Sequence, residues 1–112
     1  MKRIEAIIRP AKVGDVLAAL AKVGHPGVMV SEVEGHGSQM GVEHQVRGKT
    51  YKVPLLAKKK IDVVVKDAEA AKIIEAIQKA VATGEIGDGK IFVSSMEDAI
   101  RIRTGESGEK AV

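Results

Sequence analysis

A chain of 112 residues, 45% hydrophobic and 29% charged, holds one packed core and excludes both a second domain and wholesale disorder. It contains no cysteine, which excludes a disulfide scaffold, thiolate zinc sites, iron–sulfur clusters and thiol nucleophiles, and no apolar run reaches the ~20 residues of a membrane-spanning helix. The net charge of +3 is unevenly spread: Arg47, Lys49, Lys52, Lys58, Lys59 and Lys60 fall between His44 and Lys60 with no acid among them, which leaves the rest of the chain net acidic and makes this segment a candidate anion or partner surface.

Residues 2–9 alternate, with Ile4, Ala6 and Ile8 on one side and Arg3, Glu5 and Arg9 on the other, and predict a first strand. Met1-Lys2-Arg3 leads directly into it and is no signal-peptide core, so a cytoplasmic protein without membrane insertion is expected. After Pro10, the residues Val13, Val16, Leu17 and Leu20 recur at helical spacing and predict an amphipathic helix that Gly24 and Pro26 stop. The valine-rich residues 28–34 suit a second strand. From Ser38 to Leu55 there is no period, with Gly41, Gly48 and Pro54 interrupting. Loops longer than about 12–15 residues are uncommon in compact domains and tend to be functional.

Alternation resumes over residues 58–66, with Ile61, Val63 and Val65 facing one way and Lys60, Asp62, Val64 and Lys66 the other. Asp67 is placed to cap a second helix whose stripe is Ala70, Ile73, Ile74, Ile77 and Val81, ending at Thr83-Gly84. Residues 90–95 predict a fourth strand, and Ile100 and Ile102 alternating with Arg101 and Arg103 predict a short fifth. The expected fold is therefore α+β and ferredoxin-like, a split βαβ arrangement (βαββαβ plus a short C-terminal strand) in which two helices cover one face of one antiparallel sheet. Ile7 and Val64 point at the other face, whose expected cover is a neighbouring subunit.

Three constellations bear on chemistry. Thr83-Gly-Glu-Ile-Gly-Asp-Gly-Lys90 sets two glycines around Asp88 just before a strand, where backbone N–H groups can turn to an anion and Lys90 adds charge. It lacks Walker spacing, and a plain connecting turn has the same composition. Arg101 and Arg103, two apart in a strand, would leave one face roughly 6.5–7 Å apart, a separation that suits neighbouring phosphates or a solvated strand face. Gly35-His36-Gly37 is a third place where backbone can approach a ligand. His25, His36 and His44 have no metal-ligand spacing, and Ser94, Ser95 and Tyr51 lack an adjacent base, so catalysis is unsupported.

These residues resemble the PII nitrogen-regulatory signal-transduction family along essentially the whole chain, most specifically in Thr83-Gly-Glu-Ile-Gly-Asp-Gly-Lys-Ile-Phe-Val-Ser and Arg101-Ile-Arg-Thr-Gly-Glu106, together with the first strand through Pro10. The resemblance implies a non-enzymatic regulator, a single domain over 1–112, assembled as a homotrimer that binds ATP or ADP in clefts between subunits and senses 2-oxoglutarate. By position, Gly35, Gly37, Gly87, Asp88, Gly89, Lys90, Arg101 and Arg103 match residues that hold the nucleotide. Gln39 matches a ligand of Mg2+ beside the triphosphate, and Lys58 matches the partner of a 2-oxoglutarate carboxylate. The segment at about 37–55 matches the flexible T-loop, which docks on targets such as an ammonium or other transporter or a metabolic enzyme, and Tyr51 matches a tyrosine that some members have nucleotidylated. Met29 stands where many members have threonine, and Ser38 where many have arginine.

Rival readings share the same topology. An RNA-binding module fits the basic charge but needs sheet aromatics, and the third strand has none while the fourth has only Phe92. A trimeric divalent-metal-binding protein would have no cysteine to use, and a small acylphosphatase is the third alternative. Nucleic acid is accordingly not an expected partner.

Overall fold

The computed structural model describes residues 1–25, 27–36 and 55–112, together with the backbone of two short strands, Glu43–Val46 and Lys49–Lys52. In chain order the elements are β1 (Lys2–Ile8), α1 (Val13–Lys22), β2 (Met29–Gly35), β3 (Glu43–Val46), β4 (Lys49–Lys52), β5 (Leu56–Val65), α2 (Asp67–Val81) and β6 (Lys90–Ser95). A single 3₁₀ turn, Pro10–Lys12, leads into α1; Pro10 fits there because the first turn of a helix needs no N–H from it.

The main sheet has the order β2-β5-β1-β6, and every neighbouring pair is antiparallel. Each helix thus connects two parallel strands that have a third strand between them, which is the expected split βαβ plan used twice. Period two sorts the side chains: Ile4, Ala6 and Ile8 of β1 and Ile61, Val63 and Val65 of β5 point to the helices and are buried with Val16, Leu20, Ile73, Ile77 and Val81 in one cluster. Burying each of the larger aliphatic groups stabilises the fold by roughly 1.5–3 kcal/mol. Leu17, expected in the α1 stripe, is 38% exposed at its margin, because Val13, Val16 and Leu20 already fill the line that faces the sheet.

The opposite face is mixed. Ile7 and Val64 are half-buried there and Phe92 is exposed, while Met29 is 69% exposed. Among them Arg3 donates to Asp62, at 3.1 Å from Nη2, and pairs with Glu5 at 2.6 Å. Asp62, expected on this outward face, is nonetheless only 7% exposed because Arg3 covers it.

Three expectations are corrected. The aperiodic stretch after Ser38 contains a two-stranded antiparallel ribbon, β3 with β4, in which Tyr51 is in register with His44. Its strands pair only with each other and stand apart from the four-stranded sheet whose core sets the period elsewhere. Asp67 is not the cap of α2: the capping position is Lys66, with no side-chain cap bond, and the Asp67 carboxylate instead meets the Met1 amino group at 3.0 Å. The short fifth strand is reduced to one isolated bridge, Ile100 with Ser107, closing a turn in which Arg101 N–H donates to Glu106 and Gly105 N–H donates to Arg101. Gly105 takes a φ of 73°, so the chain reverses where a strand would continue, and the strand spacing of Arg101 and Arg103 does not apply.

Candidate anion-binding site

One end of the sheet gathers Lys58, Lys60 and Lys90. In the outward-facing row, Lys60 of β5, Ile7 of β1 and Lys90 of β6 are direct cross-strand neighbours, which sets the two lysine backbones about 10 Å apart, two strand spacings. Lys58 lies two residues further along β5 on the same face, opposite Val33, and Gly35 ends β2 opposite Leu56. A cleft of about 380 Å³ opens beside Lys58, lined by Pro10, Glu32, Val33, Glu34, Ala57 and Lys59.

The glycine turn closes this end. Gly87 and Gly89 take φ of 99° and 106°, a region that favours glycine. At Gly89 a Cβ would also stand 1.8 Å from the Ile7 carbonyl oxygen, so the turn lies directly against the end of β1. Asp88 between them is turned inward. Its Oδ1 accepts from Arg9 Nη1 and from the Thr83 hydroxyl, each at 2.5 Å. Its Oδ2 accepts from the N–H groups of Thr83 at 2.8 Å and Gly84 at 2.9 Å. The Thr83 bonds above all, then those from Arg9 and Gly84, hold its carboxyl far below the usual carboxylate range. Arg9 Nη2 also donates to the Ile86 carbonyl at 2.8 Å, and Lys58 Nζ donates to the Gly87 carbonyl at 3.2 Å.

Gly35, Lys58, Gly87, Asp88, Gly89 and Lys90 are thus brought to one end of the sheet. Arg101 and Arg103 are not brought there. Lys90 begins β6 opposite Ile7 and Ser95 ends it opposite Lys2, about 17 Å away at ~3.4 Å per residue. The chain leaves that far end, where Met96 N–H donates to the Met1 carbonyl, to reach the turn that carries the arginines. Arg101 is held by Glu106 and the Lys110 carbonyl, and Arg103 is exposed. Among the described residues no hydrogen bond or ion pair joins either to the glycine turn. Gly37, Gln39 and Ser38 lie outside the described residues, as does the Tyr51 side chain. Lys60 was read only as part of the basic segment and Thr83 only as the start of the glycine string, with no role given to either; Arg9 stood out only as a cation on the polar side of a strand.

Comparison with known proteins now decides the family. The family profile described as "Nitrogen regulatory protein P-II" matches residues 1–106. The chain belongs to the P-II family. "Nitrogen regulatory protein P-II 2" of Methanothermobacter thermautotrophicus is 50% identical over the whole chain and 97% of its own length, and "Nitrogen regulatory protein P-II" of Rhizobium meliloti is 52% identical over the full length of both. Among solved structures, Arabidopsis thaliana PII bound to citrate superposes with a TM-score of 0.81 at 43% identity, covering 99% of this chain and 91% of that one. P-II proteins are regulatory signal transducers and not enzymes, so the acylphosphatase reading is set aside, and with it the RNA-module and divalent-metal readings. Among the described residues no helix is long and apolar enough to cross a membrane.

Proposed function

We propose that this P-II protein is a homotrimeric, cytoplasmic sensor that binds ATP or ADP, with Mg2+, and 2-oxoglutarate in clefts between subunits, and reports the outcome to a target protein through a T-loop at about 37–55 of a single 1–112 domain. The observation that carries the reading is the division of the cationic groups. The glycine turn, Lys90 and Lys58 occupy one end of the sheet, and the segment bearing Arg101 and Arg103 departs from the other. A polyphosphate that uses both sets needs a second copy of the chain to supply the arginines, and the outward face with Ile7, Val64 and Phe92 offers the surface for that copy to cover.

In this reading Gly35, Gly37, Gly87, Gly89 and Lys90 approach the phosphates, Asp88 shapes the turn, and Arg101 and Arg103 clamp from the neighbour. Among the described residues there is no cluster of three metal-ligating side chains. A magnesium ion carried mainly by phosphate and keto-acid oxygens, with Gln39 as a protein oxygen ligand, suits such a site, since Mg2+ is commonly bound through substrate phosphates. Lys58 faces a carboxylate of 2-oxoglutarate. Citrate in the Arabidopsis relative is likewise a polycarboxylate, which favours carboxylate recognition in this fold. Ligands that order the base of the T-loop change what its tip fits, and a bound target must shift ligand affinity in return. The target is a transporter, an ammonium transporter among the candidates, or a metabolic enzyme of nitrogen or carbon use, and Tyr51 is the acceptor if the loop is nucleotidylated.

Light scattering and calorimetry test the reading together. The expected result is a trimer that binds one nucleotide per cleft and takes up 2-oxoglutarate far more tightly in the presence of Mg-ATP. A monomer, or a trimer indifferent to adenine nucleotides at millimolar concentration, overturns it.

A further inference from the structure

We infer that Arg9 and Thr83 are positioning residues for the glycine turn, acting through Asp88, and that they set nucleotide affinity without touching the nucleotide. The inference rests on the proposal that the turn binds phosphate. Asp88 matches a nucleotide-holding position by resemblance, yet both of its carboxylate oxygens are already occupied from inside the loop. A carboxylate facing a polyphosphate would repel it, whereas one paired with a guanidinium and three loop donors presents no free negative charge. Its contribution is therefore the shape it imposes.

That shape needs an external restraint. Gly87 and Gly89 supply the unusual φ values the turn requires but also the greatest freedom to lose them, because glycine forfeits most backbone entropy on ordering. Thr83 closes the loop from its start: its hydroxyl and N–H grip opposite oxygens of Asp88, and the hydroxyl in turn accepts from Glu85 N–H at 3.2 Å. Arg9 closes it from the sheet: one guanidinium nitrogen holds Asp88 and the other the Ile86 carbonyl, tying the turn to the end of β1 across 79 residues of chain. With the loop so fixed, the N–H groups of Gly87 and Gly89 have no backbone acceptor among the described residues, and they are the donors left for an anion.

The test compares Thr83→Val, Thr83→Ser and Arg9→Gln with the full-length protein, reading ADP affinity by calorimetry, thermal midpoint, and hydrogen exchange of the Thr83 and Gly84 amides. Thr83→Val and Arg9→Gln are expected to weaken ADP about tenfold or more, the scale of one lost hydrogen bond to a charged group, with a lowered thermal midpoint that still leaves the protein folded at the assay temperature. Thr83→Ser, which keeps the hydroxyl, is expected to restore binding to within about threefold of the parent, a rescue that loss of general packing would not give. Both amides should exchange faster in Thr83→Val and Arg9→Gln than in the parent. ADP binding unaltered in both variants, or a serine variant as weak as the valine one, overturns the inference. If the parent itself ignores ADP, the functional proposal fails instead, and amide exchange alone then decides whether Arg9 and Thr83 hold the turn: unchanged exchange overturns it.

Discussion

The ammonium group of Lys58 stands 3.2 Å from the carbonyl oxygen of Gly87, a hydrogen bond that joins β5 to the glycine turn across 29 residues. β5 is also the strand that follows the proposed T-loop, so one side chain links that strand to the turn proposed to receive phosphate. A ligand carboxylate that draws Lys58 away changes the hydrogen bonding of the turn at the same time.

Lys58→Met keeps the apolar stem and removes the charge. With Mg-ATP present, 2-oxoglutarate affinity is expected to fall at least about tenfold, since a hydrogen bond to a charged group contributes about 1.5–3 kcal/mol. ATP affinity measured without the keto acid should fall less. Titration calorimetry of both ligands, singly and together, checks this; an unchanged 2-oxoglutarate isotherm would remove Lys58 from the site.

Gly89→Ala should be among the most damaging single changes in the turn. A side chain there is forced to a φ of 106° and its Cβ meets the Ile7 carbonyl at 1.8 Å, a contact with backbone that cannot swing aside. Backbone strain of about 1–3 kcal/mol adds to an overpacking cost of similar size. Urea unfolding should register a loss of at least about 2 kcal/mol on those figures. Gly84→Ala provides the contrast: φ is 84° but nothing lies within 4 Å of its Cβ, so only the strain remains.

The fold was legible wherever a buried face imposed a period. β1, α1, the later part of β5 and α2 follow from residues recurring at two or at 3.6, because each lays one face on the same core, whereas β6 sets only Ile91 against it. Away from the four-stranded sheet the signal disappears or misleads. The β3–β4 ribbon pairs only with itself, and the stretch after Ile100 alternates like a strand yet turns, Gly105 and Glu106 closing it while Ile102 is wholly exposed. At the candidate site the glycines and Lys90 were readable as a local string, but the residues that hold Asp88 were not equally so. Thr83 is five positions away and lay within that string, whereas Arg9 meets Asp88 only through the β1–β6 pairing, a relationship no short window contains.

The helical stripe offers a sharper test of that periodic reading. Ile73 is fully buried, so Ile73→Ala should cost about 2–5 kcal/mol through lost transfer and a residual cavity. Leu17 was expected in the equivalent stripe of α1 but is 38% exposed, and Leu17→Ala should cost under about 1 kcal/mol in an isolated subunit. Equal losses on chemical denaturation would mean that Leu17 is buried by something beyond its own chain.

Acid titration isolates the Asp88 clasp. Thr83, through its hydroxyl and its N–H, followed by Arg9 and Gly84, holds the carboxyl far below its ordinary value in the folded chain. A carboxyl whose folded pKa is depressed contributes stability that is fully present above the unfolded pKa, about 3.9 for aspartate. That stability is lost as pH falls from there toward the folded value. Asp88→Asn cannot lose a charge it lacks, so the gap in stability between parent and variant should hold from neutral pH down to about pH 5 and then narrow steadily below pH ~4. Glu32 and Glu75, also held low by Lys59 and Lys79, are common to both proteins and cancel in the difference. Urea midpoints taken between neutral pH and pH ~2 make the comparison; a gap that stays constant through the acid range would mean that the carboxylate of Asp88 is no better stabilised in the folded turn than in the unfolded chain.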